Sequence, residues 1–97
     1  MKFVQIIEFK TKRPDEVQAA VDEYIASTAG KRANSRGMTT KDRDQSDVYC
    51  QIIEFPSYEA AMKNSQMPET GQLAEKLQKL CDGPPSFRNL DVTFEEG

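Results

Sequence analysis

The sequence QIIEF at residues 5–9 recurs without a change at residues 51–55, and this repeat decides the fold. Its isoleucines and phenylalanine favour a β-strand in each copy. A proline and an acidic, alanine-containing pattern follow each copy within a few residues, at Pro14 and Pro56, and this pattern is typical of a helix. The chain is therefore predicted to contain two copies of one β-α-β unit.

The composition indicates one globular domain over residues 1–97. Hydrophobic residues make up 37% of the chain, charged residues make up 30%, and the net charge is only −3. Without a basic surface, nucleic acid and anionic membranes are poor candidate partners. No stretch approaches the roughly 18 apolar residues of a membrane span, and the N-terminus lacks the apolar run of a secretory signal. A cytoplasmic location is the expectation.

Hydrophobic periodicity and turn residues predict the elements. The apolar positions of the first helix recur at helical spacing from Val17 to Ile25. A second helical region begins at Ser57, is interrupted at Met67-Pro68 and ends at Gly83. We expect strands over 2–10, 37–43, 48–55 and 88–95, and a first helix over 14–29.

This order predicts an α+β, ferredoxin-like β-α-β-β-α-β fold with a four-stranded antiparallel sheet. We expect the first and third strands to be central and to run parallel to each other, with the second and fourth at the edges. The right-handed crossover rule places both helices on one face of the sheet.

The two central strands are apolar on both faces, although the helices cover only one. One parity holds Phe3, Ile7, Phe9, Tyr49, Ile53 and Phe55, and the other holds Val4, Ile6, Val48, Cys50 and Ile52. An uncovered apolar face is more than a soluble monomer usually exposes. We therefore expect a homodimer that packs sheet against sheet.

Gln5 and Gln51 occupy equivalent places in the two central strands and interrupt apolar faces. They either orient a ligand in a cleft or hydrogen-bond each other or a subunit partner. Met62 and Met67 lie where the second helix breaks, and they could form an adaptable wall for an apolar ligand or ordinary core. Glu8 and Glu54 repeat the same symmetry, but charged residues near strand ends are mostly solvated.

The chain has no histidine, no tryptophan and no phosphate-binding motif. Cys50 and Cys81 are expected to be free thiols, because neither lies in a CxxC motif or a Cys/His cluster. We expect no metal site and no cofactor.

The chain resembles the dimeric α/β-barrel superfamily, and within it the small antibiotic-biosynthesis-monooxygenase-like (ABM-like) proteins. The resemblance rests on the element order, on residues 42–49 leading into FPSYEAA at 55–61, and on SQMPET at 65–70 inside the broken helix. These are features of shape, and none is a catalytic signature.

The resemblance implies a cleft between sheet and helices, used by different relatives for cofactor-free oxygenation of phenols, haem degradation, isomerisation or ligand binding. Haem-degrading relatives use a histidine and a tryptophan, and this chain has neither. Among the residue types that relatives place in the cleft, the chain offers Tyr24, Arg36, Tyr49, Tyr58 and Asn64. Without histidine, a proton acceptor must be a carboxylate, tyrosine, cysteine or water.

Two hypotheses follow from the sequence. The first is a cofactor-independent monooxygenase-like enzyme that acts on a small aromatic or apolar compound. The second is a non-catalytic dimeric module that binds a small ligand or has a regulatory role. In both, the expected ligand-binding residues are Gln5, Tyr49, Gln51, Met62, Asn64 and Met67.

Overall fold

Seven elements follow one another in the computed structural model, which describes residues 1–97. Their order, β-α-β-β-α-α-β, confirms the ferredoxin-like prediction, and the second helical region is divided in two at the expected break. The elements are β1 (Phe3–Lys10), α1 (Pro14–Ser27), β2 (Arg36–Lys41), β3 (Val48–Phe55), α2 (Tyr58–Ser65), α3 (Pro68–Leu80) and β4 (Ser86–Asp91).

The four strands form one antiparallel sheet in the order β2-β3-β1-β4. The central pair is β1 and β3, as expected, but the expectation that they run parallel was wrong. Each crossover helix joins strands of the same direction, so β1 and β2 share a direction and β3 lies between them in the opposite one. Phe3 lies opposite Phe55, and Phe9 lies opposite Tyr49.

Local sequence explains where the helices begin and end. Pro14 occupies the first turn of α1, where its missing N–H would have had no helical partner. Ser57 caps α2 by accepting a hydrogen bond from the backbone N–H of Ala60 at 3.1 Å. Pro68 opens α3 in the same way as Pro14 opens α1, so the chain stops one helix and starts another at the same dipeptide.

The helices cover the face of the sheet that carries the three buried phenylalanines, Phe3, Phe9 and Phe55. The opposite face, which we call the open face, carries the other parity of the central strands. Its members are half-buried or exposed, and they include Val4, Ile6, Glu8, Arg36, Met38, Val48, Cys50, Ile52, Glu54, Arg88 and Leu90. The division of the central strands into two apolar faces is thus as expected.

β4, which forms one edge of the sheet, differs most from its predicted range. β4 covers Ser86–Asp91 rather than 88–95, and all six of its residues are exposed. None of the three helices is both long enough and apolar enough to cross a membrane.

Candidate functional site

A partly enclosed cavity of about 240 Å³ lies between α1 and the helix-covered face of the sheet. We call it the α1 slot and define it by its lining. The apolar and aromatic members come from β1, β3 and α1, and the polar members come from α1, β2 and β3. The lining residues are Phe9, Pro14, Asp15, Val17, Gln18, Val21, Thr39, Tyr49 and Gln51.

The floor of the α1 slot is an aromatic pair. Phe9 and Tyr49 face each other across β1 and β3, with ring centroids 5.8 Å apart and planes inclined by 18°. Val17 holds α1 onto this floor and is only 4% exposed. The space that remains between the helix and the floor is bordered by Val21 of α1 and Thr39 of β2.

One amide in the wall has no partner in the chain. Gln51 is half-buried, lies beside Thr39 of β2, and its side chain makes no hydrogen bond within the protein. Its amide atoms reach solvent, so a ligand that covers them must replace the lost water contact with a hydrogen-bonding atom of its own. The α1 slot therefore combines an aromatic floor with one polar contact that can orient a ligand.

The ionisable groups of the lining are Asp15 and Tyr49, and no lysine or arginine lines the slot. The thiols lie elsewhere: Cys50 is on the open face, and Cys81 follows α3. Burial raises the pKa of both thiols, Cys50 and Cys81, so they remain protonated at neutral pH. The available proton acceptors in the slot are a carboxylate, a phenol oxygen or water.

The structure brings together two of the expected ligand-binding residues, Tyr49 and Gln51, and places the other four outside the slot. Gln5 donates a hydrogen bond through Nε2 to Asn89 Oδ1 at 3.1 Å. Met62 packs against the cluster of Phe3, Phe55 and Ala61. Those contacts hold Gln5 beside β4 and Met62 beside Phe3 and Phe55, outside the α1 slot.

Asn64 and Met67 lie where the three helices meet. Asn64 Nδ2 donates to the hydroxyl of Tyr24 at 3.4 Å, and Asn64 Oδ1 is buried without a partner. Thr70 links the same helices, because its hydroxyl lies 2.9 Å from the Tyr24 hydroxyl and donates to the backbone oxygen of Asn64 at 2.8 Å. Met67 is half-buried and precedes α3. This polar network joins α1 to the broken helix.

The place equivalent to the α1 slot in the second copy of the repeat is filled by side chains. Phe3 and Phe55 form its floor, with centroids 6.3 Å apart, and Tyr58 lies edge-on against Phe3 at 5.4 Å. Ala61 is 4% exposed there, and Met62 packs beside it. We call this place the α2 core and define it by these five residues.

Comparison with known proteins addresses the fold. No family model and no curated protein sequence matches the chain. Solved structures do match. A candidate antibiotic biosynthesis monooxygenase from Caulobacter crescentus superposes with a TM-score of 0.84 at 12% identity, over 96% of this chain and 91% of that one. The chain has the ABM-like fold.

Two further structures agree with the ABM-like fold. The cofactor-independent oxygenase SnoaB of Streptomyces nogalater superposes with a TM-score of 0.82 at 16% identity, covering 97% of this chain and 95% of that one. The protein Rv0793 from Mycobacterium tuberculosis gives a TM-score of 0.80 at 17% identity, over 100% of both chains. At these identities the likeness concerns architecture, since one fold hosts many chemistries.

Sequence reasoning missed several lining residues of this ABM-like domain as site residues. The sequence patterns place Phe9 and Val17 only on apolar faces, and they do not mark Asp15 as a site residue. Gln18 and Thr39 carry no motif at all. The signal that distinguishes them is a difference between the two copies of the repeat: Pro14 and Gln18 of α1 stand where α2 has Tyr58 and Met62. That signal requires the two helices to be aligned by their starts.

Proposed function

We propose that the protein is a cofactor-independent monooxygenase-like enzyme that acts on a small aromatic or apolar compound bound in the α1 slot. The observation that carries the proposal is the cavity of about 240 Å³, which joins the Phe9–Tyr49 floor to the unpartnered Gln51 amide. The likeness to SnoaB, described as a cofactor-independent oxygenase, supports the reaction class.

In the proposed reaction a bound phenol first loses its hydroxyl proton, with Asp15 or water as the acceptor. Gln51 donates a hydrogen bond to the resulting phenolate oxygen and stabilises its charge. The electron-rich ring carbon para to that oxygen forms a bond to O₂, and loss of water from the hydroperoxide leaves a quinone. One oxygen atom enters the ring and the other leaves as water with two substrate hydrogens, so no external reductant is required.

Oxygen consumption with one-ring and two-ring phenols tests this proposal. With ¹⁸O₂, mass spectrometry should find one labelled atom in each quinone. General-base contributions are commonly on the order of 10²–10⁴ in rate, so Asp15→Asn should lower kcat at least tenfold if Asp15 accepts the proton. Glu16→Gln, on the exposed side of the same turn, is the matched control. If the protein raises the rate of oxygen consumption with none of these phenols, the enzymatic function is rejected.

The alternative is a non-catalytic module that binds the same kind of ligand in the α1 slot. It is favoured by the sparse ionisable lining, since Asp15 is the one carboxylate there and lies on an exposed helical turn. Calorimetric binding of a phenol without oxygen consumption would select this function over the enzyme.

We also propose that two copies pack through the open face to form a homodimer, in either function. This face exposes Met38 and Leu90 and carries charges of both signs, Glu8 and Glu54 with Arg36 and Arg88, so a second copy related by a two-fold axis can match it. Light scattering should give twice the chain mass of 11.0 kDa. Ile52→Lys should give a monomer, whereas Lys63→Glu on exposed α2 should not; a monomeric parent protein would contradict the dimer.

A cytoplasmic location is part of the same proposal. Its support is that Cys50 and Cys81 are both free, as expected in a reducing compartment. Fractionation of the source cells, followed by immunodetection of the protein, tests the location.

A further inference from the structure

Two threonines, Thr11 and Thr28, are the polar residues of the chain that are completely buried, each with 0% exposure. They lie just outside the two ends of α1, the helix that forms one wall of the α1 slot. A buried hydroxyl needs hydrogen bonds within the protein, because it has lost those it made to water. The bonds that each hydroxyl makes therefore show what each threonine holds in place.

Thr11 connects several elements at the start of α1. Its hydroxyl donates a hydrogen bond to the backbone oxygen of Leu80, the last residue of α3, at 2.6 Å. The same hydroxyl oxygen accepts a hydrogen bond from the backbone N–H of Arg13, the N-cap residue of α1, at 2.9 Å. The backbone N–H of Thr11 donates to the oxygen of Asp47, in the turn before β3, at 2.9 Å. One residue thus joins the start of α1 to the end of α3 and to the sheet.

Thr28 makes its hydrogen bonds only at its own end of α1. Its hydroxyl and its backbone N–H both donate to the backbone oxygen of Tyr24, at 2.6 Å and 3.0 Å. Its backbone oxygen accepts a hydrogen bond from the N–H of Lys31 in the following loop at 2.9 Å. The two threonines are therefore equally buried, but only Thr11 connects α1 to other elements.

The first turn of α1 depends on the Thr11 hydroxyl because its own N-cap residue contributes no capping bond. Serine, threonine, asparagine and aspartate are the usual N-cap residues, since their side chains accept a hydrogen bond from the first turn. Arg13 stands at this position in α1, and its side chain makes no such bond. Asp15 lies in that turn, two residues after Arg13, and lines the α1 slot. Thr11 thus fixes the backbone that carries the carboxylate of the slot.

We propose that Thr11 is a positioning residue for Asp15, and that it acts by holding the first turn of α1 against the end of α3. This inference rests on the proposed function, in which Asp15 accepts the hydroxyl proton of a bound phenol. The floor of the slot and Gln51 belong to the sheet and make no bond to the Thr11 hydroxyl. Loss of that hydroxyl should therefore impair proton transfer and leave ligand binding intact, because a general base must lie within hydrogen-bond reach of its proton.

Thr11→Val and Thr28→Val form a matched pair, because each removes one buried hydroxyl and nearly keeps the side-chain shape. Oxygen consumption is measured with 1-naphthol, a two-ring phenol whose para carbon is free to react. Small displacements of a catalytic group can cost up to about 10² in rate, so we expect Thr11→Val to lower kcat about tenfold. Thr28→Val, and Thr11→Ser, which keeps the hydroxyl, should retain the parent kcat.

Two further measurements separate positioning from a loss of stability. Calorimetry with 2-naphthol, whose para carbon is a ring junction and cannot form the quinone, should give the same affinity for Thr11→Val and the parent protein. Adding Thr11→Val to Asp15→Asn should lower kcat no further, because the base that Thr11 positions is already absent. Amide hydrogen exchange of the parent protein should show protection at Arg13, and exchange there should be faster in Thr11→Val alone.

The outcomes separate this inference from the proposed function. Equal losses of kcat in Thr11→Val and Thr28→Val, a further loss on the Asp15→Asn background, or an unprotected Arg13 amide would overturn the inference. An active enzyme that Asp15→Asn leaves unimpaired would also overturn it, while the enzymatic function would stand. If no phenol raises oxygen consumption, the enzymatic function fails, and hydrogen exchange decides whether Thr11 fixes the turn that carries Asp15: faster exchange at Arg13 in Thr11→Val alone supports this role, and equal exchange in both variants overturns it.

Discussion

The α1 slot and the α2 core start from the same QIIEF strand but have different contents. Both have an aromatic floor and a buried helix residue above it, Val17 in one and Ala61 in the other, each 4% exposed. In the α2 core Met62 and the half-exposed Tyr58 pack beside the floor, whereas the α1 slot has Pro14 and Gln18 at those helix positions. The two halves of the repeat therefore differ in packing: one is covered by its own side chains, and the other leaves a cavity of about 240 Å³.

The largest difference between the halves should appear in stability. Phe3 is 2% exposed in the α2 core, so Phe3→Ala should lower the free energy of unfolding by about 3–5 kcal/mol. Tyr49 occupies the equivalent floor position but is only half-buried, so Tyr49→Ala should cost about 1–2 kcal/mol. Urea denaturation measures both. Equal losses would show that the two floors contribute equally to stability and would contradict the difference between the halves.

Giving α1 the side chains of α2 should close the slot. The double variant Pro14→Tyr and Gln18→Met should weaken 2-naphthol binding more than about tenfold, or about 1.4 kcal/mol, because the added ring and thioether occupy the ligand's place. The control variant Glu16→Tyr and Ala19→Met adds the same side chains to exposed positions of α1. Titration calorimetry measures the affinity of both variants for 2-naphthol. Unchanged affinity in the Pro14→Tyr and Gln18→Met variant would show that the ligand binds outside the α1 slot.

The reverse change should open the α2 core. Tyr58→Ala removes the edge-on contact with Phe3, which is worth about 0.5–1.5 kcal/mol, and should lower stability by about that amount. It should also create a second, weaker site, so that the calorimetric stoichiometry with 2-naphthol rises from one per chain toward two. A loss of stability with an unchanged stoichiometry would mean that the core collapses instead of opening.

The smallest predicted effect concerns the turn that joins the two copies. Asp42 Oδ1 accepts hydrogen bonds from the backbone N–H of Asp44 at 2.8 Å and of Gln45 at 3.0 Å. The bond from Asp44 is the main reason that the pKa of Asp42 lies below its ordinary value. A lowered pKa means that the stabilisation is complete above the ordinary value of about 3.9 and is lost as the pH falls through the folded-state pKa.

Substitution at the turn should remove that acid dependence. Asp42→Ala should be less stable than the parent protein at neutral pH, and the difference should shrink as the pH falls below about 3.9. Asp44→Ala keeps the backbone donor and serves as the control. Thermal unfolding at several pH values gives the comparison, and a difference that stays constant at every pH would contradict the role assigned to the Asp42 carboxylate.

Most of the fold could be predicted because its signals are local. The repeat, the prolines at helix starts and the alternating apolar faces lie within single elements, and β3 has the predicted range. The predicted direction of β3 relative to β1 was wrong, because strand direction depends on which strands the crossover helices connect and not on any one segment. β4 was placed too late because its residues, all exposed, carry little burial signal.

The candidate site could be predicted only in part. Tyr49 and Gln51 were named from the sequence, but Gln5 looked identical to Gln51 because both lie in the same pentapeptide. The difference between them comes from Asn89 and Thr39, which lie on edge strands far away in sequence. Only the strand register reveals which glutamine has a partner.

Chemical-shift mapping of the labelled protein, titrated with 2-naphthol, shows which half of the domain binds a ligand. We expect the backbone signals of Val17, Tyr49 and Gln51 to shift together, while those of Phe3, Tyr58 and Ala61 stay in place. Shifts confined to the α2 core, or to the open face, would contradict the assignment of the α1 slot as the functional half of the domain.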